Sequence, residues 1–118
     1  MKNKYDLTPE ERAGVKKFMR TIAHFKKLDQ AFPQSYMEAL MHIALQPGLG
    51  TSDYAQRIET SKSNASRILG IIGERPRRGD EHHDLIEQED DPRDARKTHY
   101  NLTQKGYWLI KKILEEQQ

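Results

Sequence analysis

Five histidines and no cysteine narrow the covalent and metal chemistry open to this chain. The densest group is His82-His83-Asp84, with His99 further along, and imidazole with carboxylate suits zinc or nickel. Adjacent residues point in different directions, though, and no two histidines stand four apart on a helical segment. These histidines therefore read as exposed loop residues, and no metal is expected. Ser61, Ser63 and Ser66 have no base at a useful spacing, so they are not nucleophiles. Gly70 and Gly73 do not follow a strand and make no phosphate cradle. No catalytic residue, cofactor or enzymatic activity is expected. What remains is hydroxylic and cationic: Thr51, Ser61, Lys62, Ser63, Asn64, Ser66 and Arg67 upstream, with Arg93, Arg96 and Lys97 downstream. Short hydroxyls, an amide and cations are the groups that engage phosphate oxygens and base edges.

Two short elements must position the first group. Thr51 to Ile58 opens with hydroxyls and places Tyr54, Ala55 and Ile58 on one helical face, the small Ala55 allowing close approach of a second helix. A brief turn at Glu59-Thr60 leads to a second helix, capped by Ser61. Ala65, Ile68, Leu69 and Ile72 form its buried stripe, while Lys62, Ser63, Ser66 and Arg67 fall on the other side. This is a helix-turn-helix over 51–74, whose second helix, 61–74, would enter a major groove N-terminus first.

The second group belongs to a β-ribbon. Asp91-Pro92 and Asp94 are turn formers, and in Lys97 to Leu102 the residues Thr98, Tyr100 and Leu102 alternate as a half-buried strand requires. A wing over 84–102 follows, with Arg93 and Arg96 at its tip to reach phosphates or a minor groove and Asp94 bracing Arg96.

Helices flank these elements at both termini. Thr8-Pro9-Glu10-Glu11 is a capping box with proline at the first helical position, opening a helix over 8–31. Val15, Phe18, Met19, Ile22 and Phe25 recur along it at helical spacing. Gln34 to Gln46 makes the next helix, with Met37, Leu40, Met41 and Ala44 as its core face. Thr103 caps a last helix, 103–117, with Tyr107, Ile110 and Leu114 as its apolar positions and Trp108 partly buried. The expected fold is mainly α with a small β-ribbon, one winged helix-turn-helix domain spanning 1–118 and holding a helical core over 34–74.

Residues 33–106 resemble the winged helix-turn-helix of MarR-type transcription regulators. Three stretches carry the likeness: Ala44 to Ala55, at the turn into the first reading helix; Ser61-Lys62-Ser63-Asn64-Ala65-Ser66-Arg67, at the recognition helix; and Asp94-Ala95-Arg96 followed by Leu102-Thr103 and Gly106, at the wing. The resemblance implies binding of double-stranded DNA, usually as a homodimer and usually in repression. The basic-then-acidic loop 75–83 is longer than the family's passage from recognition helix to wing, and the family tends to carry a further C-terminal helix for dimerisation.

Composition fits a soluble chain of one module. Hydrophobic residues make up 35% and charged residues 32%, which leaves a modest core under a charged surface. The absence of cysteine suits a reducing cytoplasm, and neither a signal peptide nor an apolar run of membrane length is present. The net charge of +2 is uneven. Residues 1–30 carry eight basic against four acidic side chains, 61–73 carry Lys62 and Arg67 with no acid, and 75–97 carry six basic against eight acidic. An acidic ribbon weakens attraction to phosphate, which leaves two other readings: a winged-helix module for a protein partner, or an architectural or replication-associated DNA binder. No polar cluster suggests a small-molecule effector.

Overall fold

Thr8, Ser61 and Thr103 each start a helix by accepting from a backbone amide of its first turn. In the computed structural model, which describes residues 3–73, 83–91 and 93–118 without the side chains of 94–97, helix α1 spans Pro9–Lys26. The Thr8 hydroxyl accepts from the Glu11 amide at 3.1 Å, and the Glu11 carboxylate accepts from the Thr8 amide at 2.8 Å. The Thr8 amide foremost, and then the Thr8 hydroxyl, favour the charged carboxylate and hold the Glu11 carboxyl below its ordinary range. The helix stops at Lys26 rather than reaching 31, because the Asp29 side chain takes the Ala31 amide at 3.0 Å and turns the chain locally.

Helix α2 spans Gln34–Leu45, α3 Thr51–Arg57 and α4 Lys62–Ile72. Strands β1, Ile86–Asp91, and β2, Asp94–Leu102, pair antiparallel, and helix α5, Gln104–Glu116, follows. Among the described residues this makes five helices and a two-stranded ribbon, mainly α as expected. The ribbon register runs from Ile86 opposite Leu102 to Asp90 opposite Thr98, with an irregularity between Asp90 and Asp91 before the tip. The loop ahead of α3 adds a single antiparallel bridge, Leu49 with Tyr100. Most of the expected loop 75–83, all of it except His83, and the turn residue Pro92 lie outside the described residues.

The core gathers Leu40 and Ile43 of α2, Tyr54 of α3, Ile68, Leu69 and Ile72 of α4, and Leu85 and Ile86 at the root of the ribbon. Fully burying one such aliphatic side chain stabilises by about 1.5–3 kcal/mol. The α4 stripe is the one read from spacing: Ala65, Ile68, Leu69 and Ile72 are all buried. On α2 the buried face is Ala39, Leu40 and Ile43, with the expected Met37, Met41 and Ala44 only half-buried beside it. The helix is apolar nearly all round, so periodicity could not fix its orientation.

The terminal helices depart further from expectation. On α5 the buried positions are Gly106, Leu109 and Ile113, whereas Tyr107, Trp108 and Leu114 are exposed. Gly106 explains the rotation: a Cβ there would run into the Leu85 carbonyl oxygen, so only glycine lets the helix seat this face on the ribbon root. On α1 only Phe25 is buried, and Val15, Phe18 and Met19 face solvent. Helix α1 packs on α5, joined by Arg20 Nε to Glu116 at 2.8 Å and His24 Nε2 to Glu116 at 3.2 Å. Bonds from Arg20, then from His24, depress the Glu116 carboxyl below its ordinary range. With principal extents of 65 × 27 × 24 Å the chain is elongated. Its radius of gyration, 17.0 Å, exceeds the roughly 13–14 Å expected of a compact chain of this length.

Candidate nucleic-acid interface

The start of α4 is built by its caps. The Ser61 hydroxyl accepts from the Asn64 amide at 3.1 Å and lies 3.3 Å from the Ser63 hydroxyl. Glu59, just upstream, takes a left-handed conformation with φ of 56°, which reverses the chain between α3 and α4. With the apolar stripe packed on α2 and α3, the opposite face presents Lys62, Ser63 and Ser66 to solvent. Among the described residues Lys62 makes no hydrogen bond or ion pair.

Asn64 and Arg67, expected beside them, are half-buried and bonded within the protein. The Asn64 side-chain amide donates to the Thr60 hydroxyl at 2.8 Å, and its oxygen accepts from Arg67 Nε at 3.3 Å and Nη2 at 3.1 Å. Arg67 Nη1 donates to the Tyr36 hydroxyl, from α2, at 3.3 Å. A contact of the Asn64 oxygen with a base edge would have to replace its bonds to Arg67.

The ribbon is tied to this unit through the loop before α3. Gly48, at φ of 86°, donates its amide to the Tyr100 carbonyl at 2.8 Å, and the Tyr100 amide donates to the Leu49 carbonyl at 3.1 Å. His99 Nδ1 lies 2.8 Å from the Gly48 carbonyl oxygen. The Thr51 and Tyr100 hydroxyls meet at 3.1 Å, so half-buried Thr51 joins the first residue of α3 to the wing. Tyr54 completes the fastening: its hydroxyl donates to the Gln46 carbonyl at 2.7 Å and accepts from the Leu49 amide at 3.3 Å. Burial pushes the Tyr54 phenol above its ordinary pKa and keeps it a neutral donor. Between the two units lies an open cleft of about 390 Å³, with Thr51, Ser52, Asp53, Lys62, Thr98 and His99 in its walls.

At the tip, Arg93 is exposed and its amide donates to the Asp91 carboxylate at 2.8 Å. The other oxygen of Asp91 stands 3.5 Å from His99 Nε2. Asp91 thus holds tip backbone and strand together. The Arg96 and Lys97 side chains, and the expected brace from Asp94, lie outside the described residues. Two histidines differ from the expectation of exposed loop residues. His83 is only 5% exposed, its ring 5.3 Å from that of Phe32, and His99 is half-buried against Gly48. Among the described residues no group of three or more histidine, aspartate or glutamate side chains is arranged to hold a metal, and no helix is long and apolar enough to cross a membrane.

Tyr36, Tyr54 and Tyr100 are the participants that spacing did not reveal. Each lies on an apolar face where an aromatic ring reads as packing, and the hydroxyl's partner is distant in sequence or on the backbone.

The sequence matches no family model and no curated protein. Its fold does match solved structures. The structure of MepR from Staphylococcus aureus in complex with DNA superposes with a TM-score of 0.70 at 18% identity, over 92% of this chain and 82% of that one. A MarR-like transcriptional regulator from Thermotoga maritima gives 0.60 at 22% identity, over 94% and 76%. The transcriptional repressor CouR, bound to a 23-mer DNA duplex, gives 0.60 at 18%, over 90% and 68%. Over at least nine-tenths of its length, this chain has the winged helix-turn-helix fold of the MarR-type transcriptional regulators.

Proposed function

We propose that the protein is a sequence-specific binder of double-stranded DNA that regulates transcription by occupying an operator, as a repressor. Helix α4 enters the major groove with its N-terminal half, where Lys62, Ser63 and Ser66 meet phosphates and base edges and Arg67 meets a base. Thr51 and Ser61 meet the backbone, while Arg93, Arg96 and Lys97 of the wing engage backbone or minor groove. The observation that carries this reading is the outer face of α4: a lysine with no partner among the described residues and the exposed Ser63 and Ser66, on a helix anchored by four buried apolar residues. The fold neighbours include two structures with DNA bound, MepR and CouR.

The protein acts as a homodimer in this reading. Phe18 is 65% exposed, Met19 62% and Trp108 53%, and all three lie on helices packed against each other away from α4. Exposed apolar side chains of this size are what a second copy covers. The exposed acids Glu87 and Glu89 on β1 favour the other reading, a module that binds a basic protein partner. Charge reversal separates the two. Lys62→Glu combined with Arg96→Glu should abolish DNA retardation in a gel while leaving the thermal midpoint near the parent's; unchanged retardation would favour the protein-partner module.

A further inference from the structure

The guanidinium of Arg67 is held before any ligand arrives, and the hold reaches across to another helix. Of its five N–H donors, three are used: Nε and one on Nη2 by the Asn64 oxygen, and one on Nη1 by the Tyr36 hydroxyl. One N–H is left on each terminal nitrogen. Among the described residues no carboxylate pairs with this guanidinium, so its charge is met only by neutral oxygens. Both anchors are themselves fixed. Asn64 is tied to Thr60, and the Tyr36 ring stands edge-on to Phe32 at 5.6 Å, which in turn packs on Phe25 and His83 at 5.3 Å each.

We propose that Tyr36 is a positioning residue that sets the base selectivity of Arg67, on the reading of α4 as a DNA-binding helix given above. A guanidinium held in one orientation offers its remaining N–H donors to acceptors placed to match them, such as the N7 and O6 of a guanine, with little ordering cost. A freed one adapts to phosphate or to any acceptor, and selectivity falls. Tyr36 touches no DNA in this arrangement; its effect passes wholly through Arg67.

The test is a double-substitution cycle on the full-length protein, with binding measured to its best selected duplex and to a scrambled one. Tyr36→Phe removes one hydroxyl and keeps the ring on Phe32, so the thermal midpoint should stay near the parent's. It should weaken binding to the selected duplex about three- to tenfold, the cost of ordering one long side chain, and leave the scrambled duplex within about twofold. In an Arg67→Ala background, Tyr36→Phe should have no further effect. An equal loss in both backgrounds, an equal loss on both duplexes, or tighter binding would overturn the assignment. The failure of the DNA reading looks different: the parent protein would select no duplex at all.

Discussion

Arg67 and Lys62 sit on the same helix, yet their surroundings assign them different work. Lys62 is exposed and, among the described residues, unpartnered, a charge suited to phosphate, whereas Arg67 is half-buried and oriented. Lys62→Ala should weaken binding to all duplexes alike and lower the slope of log affinity against log salt by about one. Arg67→Ala should cost about 1–3 kcal/mol on the selected duplex and relax preference at a single base pair. Measuring both variants across single-base substitutions of the site separates the two roles; a uniform loss for Arg67→Ala would make it a phosphate contact. The stripe Ala65, Ile68, Leu69 and Ile72 was legible in the sequence because it repeats at helical spacing with only polar residues opposite. The bond from Arg67 to Tyr36 was not, because it spans 31 residues and joins two helices whose relative rotation no local pattern encodes.

At the scale of elements, the wing's placement relative to α4 depends on hydroxyls. Tyr54→Phe would leave the Gln46 carbonyl and Leu49 amide of the connecting loop without their partner, a loss of about 1–3 kcal/mol in a denaturant titration. A change within a few tenths of a kcal/mol would show that the loop holds without that bond. The helix starts were legible, since Thr8, Ser61 and Thr103 stand as caps just ahead of apolar periodicity. The facing of α5 was not: Tyr107, Ile110 and Leu114 are as periodic as Leu109 and Ile113, and only contact of Gly106 with Leu85 decides between them. The α1–α5 clasp gives a pH dependence of definite sign. The Glu116 carboxyl lies below its ordinary range through Arg20 and His24, so its contribution is present above that range and is lost as pH falls through the depressed value. Glu116→Gln should therefore flatten the acid limb of a stability profile below about pH 4.3, the usual glutamate value. A limb of unchanged steepness would show that the clasp adds nothing.

For the whole molecule, elongation and exposed apolar helices belong together. A lone chain of this shape leaves Val15, Phe18, Met19, Trp108 and Leu114 in water, and pairing of two copies would cover them while setting two α4 helices on one face of a duplex. Phe18→Glu should give a monomer in sedimentation and lose most affinity for the full site, because only one half-site can then be held. A dimer that survives this change would place the pairing surface elsewhere. The apolar repeat of α1 was plain in the sequence, but whether its own chain or a second copy covers it depends on tertiary packing alone. Whether this winged helix-turn-helix reads a specific duplex is decided by selecting bound DNA from a random library and titrating the enriched duplex with salt. The expected result is a palindromic site with half-sites about 10 base pairs apart or a multiple of that, and affinity falling by about a thousandfold or more between 50 and 200 mM salt. Recovery of unenriched DNA, with binding indifferent to both sequence and salt, would contradict it.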